Sequence, residues 1–135
     1  MSIGVGELRG ATADVIEKLR EKGIDNSEQL LSAAAKPADR KALAAHCGCE
    51  TRVILELANR ADLARIKGVA GVYSDLLEKA GVDTVKELAV RKPENLHAKI
   101  LETNSAGGLT TQPPSASQVT AWVEQAKDLP KLLEY

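Results

Sequence analysis

The chain has 135 residues, 44% hydrophobic and 27% charged, with eighteen basic side chains against nineteen acidic ones and a net charge of −1. That length suits one domain or two small fused halves, and it buries roughly two-thirds of the unfolded surface. The balanced charge excludes a uniformly basic nucleic-acid binder, so any cationic patch is local; no apolar run approaches the ~18 residues of a membrane span. Met1 to Gly10 carry no apolar stretch of the leader type, and the expected location is cytoplasmic, with no membrane contact. The only aromatic residues are Tyr73, Trp122 and Tyr135. The core is therefore built from Leu, Ile, Val and Ala, a composition that favours close-packed helices.

In chain order, Ala13 to Glu21 reads as a helix with Val15, Ile16 and Leu19 apolar, stopped at Gly23. Asp25, with Glu28 three residues on, has capping-box spacing for a second helix that carries Leu30 and Leu31 inward and fades by Lys36-Pro37. Pro37 suits the first turn of a third, Ala38 to Ala45, which Gly48 stops. From Thr51, the positions Val53, Ile54, Leu57 and Ala61 recur with a helical period and reach Asp62-Leu63. Val53, Ile54 and Leu57 are the natural bridge between the halves, since no Gly/Pro-rich linker intervenes. Gly71 to Lys79 is the next helix, stopped at Gly81, and Asp83 is the expected cap of a further one bearing Val85, Leu88 and Ala89. Lys92-Pro93 marks a turn and Asn95 to Glu102 is helical. Asn104 to Pro114 is polar and rich in Gly and Pro, the signature of a mobile loop. Ser115 or Ser117 caps a last helix with Val119, Trp122, Val123 and Ala126. No segment alternates with period two, so no strand is expected.

The chain states one pattern twice. Leu8-Arg9-Gly10, Leu19, Gly23-Ile24-Asp25 and Leu30 recur as Ile66-Lys67-Gly68, Leu77, Gly81-Val82-Asp83 and Leu88, at a constant offset of 58 positions. A duplicated set of turn glycines and core leucines implies a duplicated structural unit. The expected units are residues 1–63 and 64–135, packed as one compact domain of about nine or ten helices, because neither half alone offers much apolar area.

The repeated core is apolar-x-Gly, a short hairpin, a helix ending in Leu-x-x-x-Gly, then apolar-Asp and another helix. It resembles the helix-hairpin-helix motif. Ala61 to Val69, Tyr73 to Leu77, Ala80 to Leu88 and Pro93 to Lys99 make nearly the whole chain resemble a bacterial family of tandem helix-hairpin-helix proteins described as a domain of unknown function. The resemblance implies an all-α, pseudo-duplicated tandem bundle of the SAM/HhH-like kind, and no particular activity. In the wider motif a Gly-apolar-Gly hairpin presents backbone N–H groups, with the positive end of a helix, to a DNA phosphate without reading sequence. Carried over, the candidate contacts are Arg9, Gly10 and Thr12 in the first hairpin and Arg65, Lys67, Gly68, Val69, Ala70 and Gly71 in the second. Both hairpins keep the first glycine and lose the second, with Gly71 one place late; Thr12 is β-branched and resists a positive φ. Against phosphate contact stands a purely structural role, in which these glycines only make tight turns and let helices approach.

Other chemistry is sparse. His46-Cys47-Gly48-Cys49 looks like metal ligands, but a structural zinc site takes four and the only other histidine is His97, so no metal or cofactor is expected. A disulfide between Cys47 and Cys49 would be strained; the expectation is reduced thiols, Cys49 inward and Cys47 nearer the surface. No phosphate-binding glycine loop of the nucleotide-binding kinds is present. Three readings remain: non-sequence-specific binding of duplex DNA, an adaptor that contacts a protein partner and no nucleic acid, and an enzyme, which the absence of a coherent catalytic set disfavours.

Overall fold

A computed structural model of the chain describes residues 3–135. Met1 and Ser2, the start of the segment read as lacking a leader, lie outside the described residues. A 3-10 turn, Val5–Glu7, precedes α1 (Ala13–Glu21), α2 (Ser27–Ala33), α3 (Pro37–Cys47), α4 (Thr51–Leu63), α5 (Gly71–Lys79), α6 (Val85–Ala89), α7 (Pro93–Gly107) and α8 (Ala116–Lys127). The described residues form no strand, only one isolated antiparallel bridge between Gly4 and Asn26. The described residues hold eight α-helices rather than nine or ten, and the segments around Gly10 and Gly68 form turns.

Capping explains most boundaries. The helix of the expected capping box, α2, starts one residue late: Asn26 Oδ1 accepts from Gln29 N–H at 2.9 Å and Gln29 Oε1 accepts from Asn26 N–H at 3.3 Å. Asp25 cannot serve as the cap because its carbonyl already accepts from Val5 N–H at 3.0 Å, which pins it to the 3-10 turn. Likewise Thr84, not Asp83, caps α6 through Glu87 N–H, and Ser115 caps α8 in a reciprocal pair with Gln118. Helix α7 runs five residues beyond Glu102, to Gly107, and Gly108 ends it in the left-handed conformation. The remaining loop is tied down. Asn104 and Thr110 exchange two hydrogen bonds, Tyr73 hydroxyl donates to Gln112 carbonyl, and His97 Nε2 donates to Pro114 carbonyl.

The buried apolar residues fall into two clusters. One gathers the 3-10 turn and the inner faces of α1 to α4, and the other gathers α5 to α8. Helix α4 serves both. Ile54, Leu57, Ala61 and Ala64 face the first cluster while Leu63 belongs to the second, so the crossing lies at the C-terminal end of α4 and not at Val53-Ile54-Leu57. Trp122 seats in the second cluster with its ring 5.3 Å from that of Tyr73. Cys47 is buried and Cys49 only half-buried, the reverse of the expectation, because α3 carries Cys47 onto its inner face and Gly48 turns the chain outward before Cys49.

Two further features join the clusters. Across the α4–α5 seam, Arg60 Nη2 lies 3.0 Å from Asp75 Oδ1 and 2.7 Å from Glu78 Oε2, and Lys79 Nζ is 3.4 Å from Asp75. The Glu78 contact is charge pairing without hydrogen-bond alignment, and Arg60 Nε has no partner. Burial pushes the Glu78 carboxyl above its usual range, with Arg60 opposing. The last residues form the second link. Leu133 enters the first cluster, Glu134 N–H donates to Ala35 carbonyl at 2.8 Å, and Tyr135 hydroxyl donates to Asn59 Oδ1 at 2.7 Å.

Among the glycines, Gly71 is the one most closely approached by its neighbours. A Cβ there would stand 2.2 Å from the Glu7 carbonyl oxygen. Gly71→Ala is therefore expected to lower the urea midpoint by the equivalent of about 1–3 kcal/mol. Gly107→Ala, whose Cβ would meet Leu109 at an ordinary 3.5 Å, is expected to raise it by up to ~1 kcal/mol. The tail supplies a pH dependence. Burial of the hydroxyl end, then the nearby Asp62 and Asp83, push the Tyr135 phenol up to about 12 although the residue as a whole is 64% exposed. The folded state thus holds this proton more tightly than the unfolded chain, whose tyrosines titrate at about 10. Stability is expected to fall as pH rises from about 10 through about 12. Comparing urea midpoints of the native chain and Tyr135→Phe isolates this step, which the variant lacks.

Candidate functional site

The two glycine turns are built alike. In the first, Leu8 N–H donates to Val5 carbonyl and Ala11 N–H to Leu8 carbonyl; in the second, Ile66 N–H donates to Leu63 carbonyl and Val69 N–H to Ile66 carbonyl. Gly10 and Gly68 take φ of 89° and 93°, values that a side chain resists. The helices that follow, α1 and α5, start and end 58 positions apart. Their ends close with the same bonds, Ile24 N–H to Leu19 carbonyl and Val82 N–H to Leu77 carbonyl.

Both turns line one open groove of about 690 Å³, formed by Gly6 to Ala11, by Gly68 and Ala70 to Tyr73, and by Thr110 and Gln112 of the pinned loop. The groove exists because Gly71, at the first position of α5, lets the Glu7 carbonyl rest against it. Gly71 has no positive φ. It does not replace the missing second hairpin glycine; it is the point of contact between the two turns. At Gly10 a Cβ would meet Arg60 Nη1 at an ordinary 3.5 Å, so it is the positive φ and not a lack of room that calls for glycine there.

The structure brings Arg9, Gly10, Gly68, Ala70 and Gly71 to the groove and leaves Thr12, Arg65, Lys67 and Val69 off its lining. Thr12 sits in extended backbone at φ −78°, so β-branching costs nothing, and its hydroxyl accepts from Val15 N–H at 3.3 Å. Helix α1 is thereby capped by its own chain. Arg65 Nη1 is bound to Asp62 Oδ1 at 2.9 Å and lines a different groove, between α2 and the tail. Lys67 has an exposed side chain, but its N–H donates to Gln125 Oε1 at 3.0 Å and its carbonyl accepts from Gln125 Nε2. Val69 is buried and its N–H is used within the turn.

What remains open is the start of α5. Ala70 is its N-cap and offers no side-chain cap, whereas Thr12 caps the equivalent position of α1. The first N–H groups of an α-helix have no partner within it, and here those of Gly71, Val72 and Tyr73 belong to residues that line the groove. Aligned peptide dipoles add partial positive charge at that end. Arg9 is exposed on the facing turn, and so is the acidic Glu7, whose carboxylate accepts from Gly4 N–H at 2.8 Å.

Sequence reasoning missed Glu7, Tyr73 and Gln112 as groove residues and Gln125 as the clamp on Lys67. Gly71 did carry a signal: the first copy has Ala13 at the matching place, so the repeat changes to glycine where the backbones meet. The other candidates separate. His46 Nε2 donates to Lys18 carbonyl at 3.1 Å and lies 3.7 Å from Glu21. Burial pushes the thiols of Cys47 and Cys49 up, away from the thiolate form that a nucleophile requires. Among the described residues no three His, Cys, Asp or Glu side chains are grouped to hold a metal ion, and no helix is long and apolar enough to cross a membrane.

The chain belongs to the family described as a domain of unknown function (DUF4332), whose model matches residues 9–129. No curated protein and no solved structure matches it.

The Gln125 clamp is directly testable. Gln125→Ala is expected to speed exchange of the Lys67 amide hydrogen by at least about fivefold, the loss of one local hydrogen bond of ~1 kcal/mol or more. Amide exchange read by NMR checks it, with the amides of α5 beyond its first turn unchanged.

Proposed function

We propose that the chain is a non-enzymatic, pseudo-duplicated tandem helix-hairpin-helix module, of the SAM/HhH-like kind, that contacts the phosphate backbone of duplex DNA without reading sequence. Residues 1–63 and 64–135 are the two units, packed as one domain. In support, the hydrogen bonds of the two turns recur 58 positions apart and each half has its own buried cluster.

The observation that carries the reading is the single groove lined by both glycine turns and the uncapped start of α5 facing into it. The amides of Val72 and Tyr73, beyond the Gly71–Glu7 contact, are the donors for one phosphate; Arg9 lines the same groove, and Lys67, exposed next to Gly68 but off the lining, adds charge. Thr12 removes one donor of α1, and the pairing of Arg60 and Arg65 with acids removes two cations. Roughly two phosphate contacts result, so binding is weak and strongly salt-dependent.

Those same losses, with a net charge of −1, favour the protein adaptor as the second reading. Fluorescence anisotropy with labelled duplex separates the two. At ~20 mM salt the DNA reading expects binding that weakens roughly 60-fold on a tenfold rise in salt, the slope for two contacts. Arg9→Glu and Lys67→Glu should each weaken it several-fold, and Gly68→Val should also weaken it. Absence of binding at ~20 mM salt, or indifference to both charge reversals, would leave the adaptor.

A further inference from the structure

The segment after α8 is seated in a bed that recognises it as a peptide. Pro130 to Tyr135 form no secondary structure. They leave the second cluster, run back over the first half and are held there by three kinds of contact. Leu133 is the apolar anchor, 2% exposed and counted in the first cluster. Glu134 is held by its main chain: its N–H donates to Ala35 carbonyl, and its carbonyl accepts from Arg40 Nη2 at 2.6 Å. Tyr135 lays its ring 5.6 Å from the Arg40 guanidinium carbon and gives its hydroxyl proton to Asn59.

Arg40 is the built part of this bed. It is 3% exposed and forms no ion pair with an acid among the described residues. Its Nη1 donates to the carbonyls of Ala34 and Ala35, at the end of α2, at 2.9 and 3.1 Å. A buried cation held by main-chain carbonyls keeps one donor edge for the main chain of whatever crosses it. Main-chain bonds supply affinity and a side-chain slot supplies selectivity, the usual division in peptide recognition.

The tail underfills its bed. A cavity of about 390 Å³ lies along one flank, between Leu31 of α2 and Ala35 just beyond it on one side and Leu129 and Leu132 on the other. Another of about 130 Å³ lies along the other, beside Asp62, Thr84 and Lys86. Leu132 borders both and is still 43% exposed. None of these residues lines the hairpin groove.

We propose that this bed is a docking site for an extended segment of a partner protein with a leucine-like anchor two positions before a tyrosine, and that the chain's own Leu133 and Tyr135 occupy it as a tethered competitor. The site is independent of the hairpin groove and of the DNA reading. The tether holds the tail at high effective concentration, so a foreign segment binds with its affinity reduced by the fraction of chains whose tail is undocked. The tail rests on one buried side chain and a few hydrogen bonds, so this undocked fraction is not vanishing.

The test is a fluorescein-labelled peptide with the sequence of residues 129–135, titrated by anisotropy into the full chain and into full-length Leu133→Ser, whose own tail has lost its anchor. The expected result is at least tenfold tighter binding to Leu133→Ser than to the native chain, lost when Arg40→Ala is added. If circular dichroism shows Leu133→Ser unfolded, Glu134→Pro takes its place: it removes the N–H that reaches Ala35 and leaves Leu133 in the sequence. Equal binding to native and tail-weakened chains, or none to either at millimolar peptide, overturns the proposal. So does a native dimer in solution that Leu133→Ser converts to monomer, because the occupant is then the tail of a second copy.

Discussion

The arrangement of this molecule depends on a contact that has no side chain on one of its two sides. The carbonyl of Glu7 rests against Gly71, so close that a single added carbon would collide with it. Around that contact the turn that precedes α1 and the start of α5 sit face to face, and a groove opens between them. Backbone-to-backbone packing of this kind is unforgiving, because neither partner has a rotamer with which to adjust. It sets the spacing of the two glycine turns more tightly than the leucines behind them could.

The charged seam beside it works differently. Arg60, Asp75 and Glu78 are nearly buried and come from α4 and α5. Removing such charges from water opposes much of the gain from pairing them, so the cluster adds little net stability by comparison with apolar packing. Its effect is on specificity. A slip of α5 along α4 would leave Arg60 buried without an acid, a cost of several kcal/mol. With Gly71 setting the approach and Arg60 the register, the groove walls have few alternative positions. The unpartnered Nε of Arg60 shows that even this arrangement is not fully satisfied.

Much of the fold was legible because its signals are local. The glycine stops, the Lys-Pro turns, the helical spacing of Leu and Ile, and the offset of 58 between Gly10 and Gly68 all operate within a few residues or by simple recurrence. Misplaced features were those decided by distant partners. Asp25 looked like a cap by spacing, but a bond from Val5 across the first half claims its backbone. The run from Asn104 read as a mobile loop because of its glycines, yet Tyr73 and His97 pin its far side and α7 continues through its start. At the groove, the glycines were visible and the fate of their neighbours was not. Nothing near Lys67 in sequence announces Gln125, and nothing near Arg65 shows that it faces the tail and not the groove.

The two turns share their hydrogen bonds at an offset of 58 positions, yet they are not equivalent. At the first turn Thr12 caps α1 with its own hydroxyl, and the Glu7 carbonyl rests against Gly71. In the second copy the equivalent of Thr12 is Ala70, which has no hydroxyl to offer, and the start of α5 stays uncapped. A self-capped helix end stabilises its own fold by about 1 kcal/mol and surrenders its capacity to bind an anion. An uncapped end does the opposite. Thr12 and Ala70 differ by one hydroxyl group, and that hydroxyl decides whether the helix end behind it is closed by its own chain.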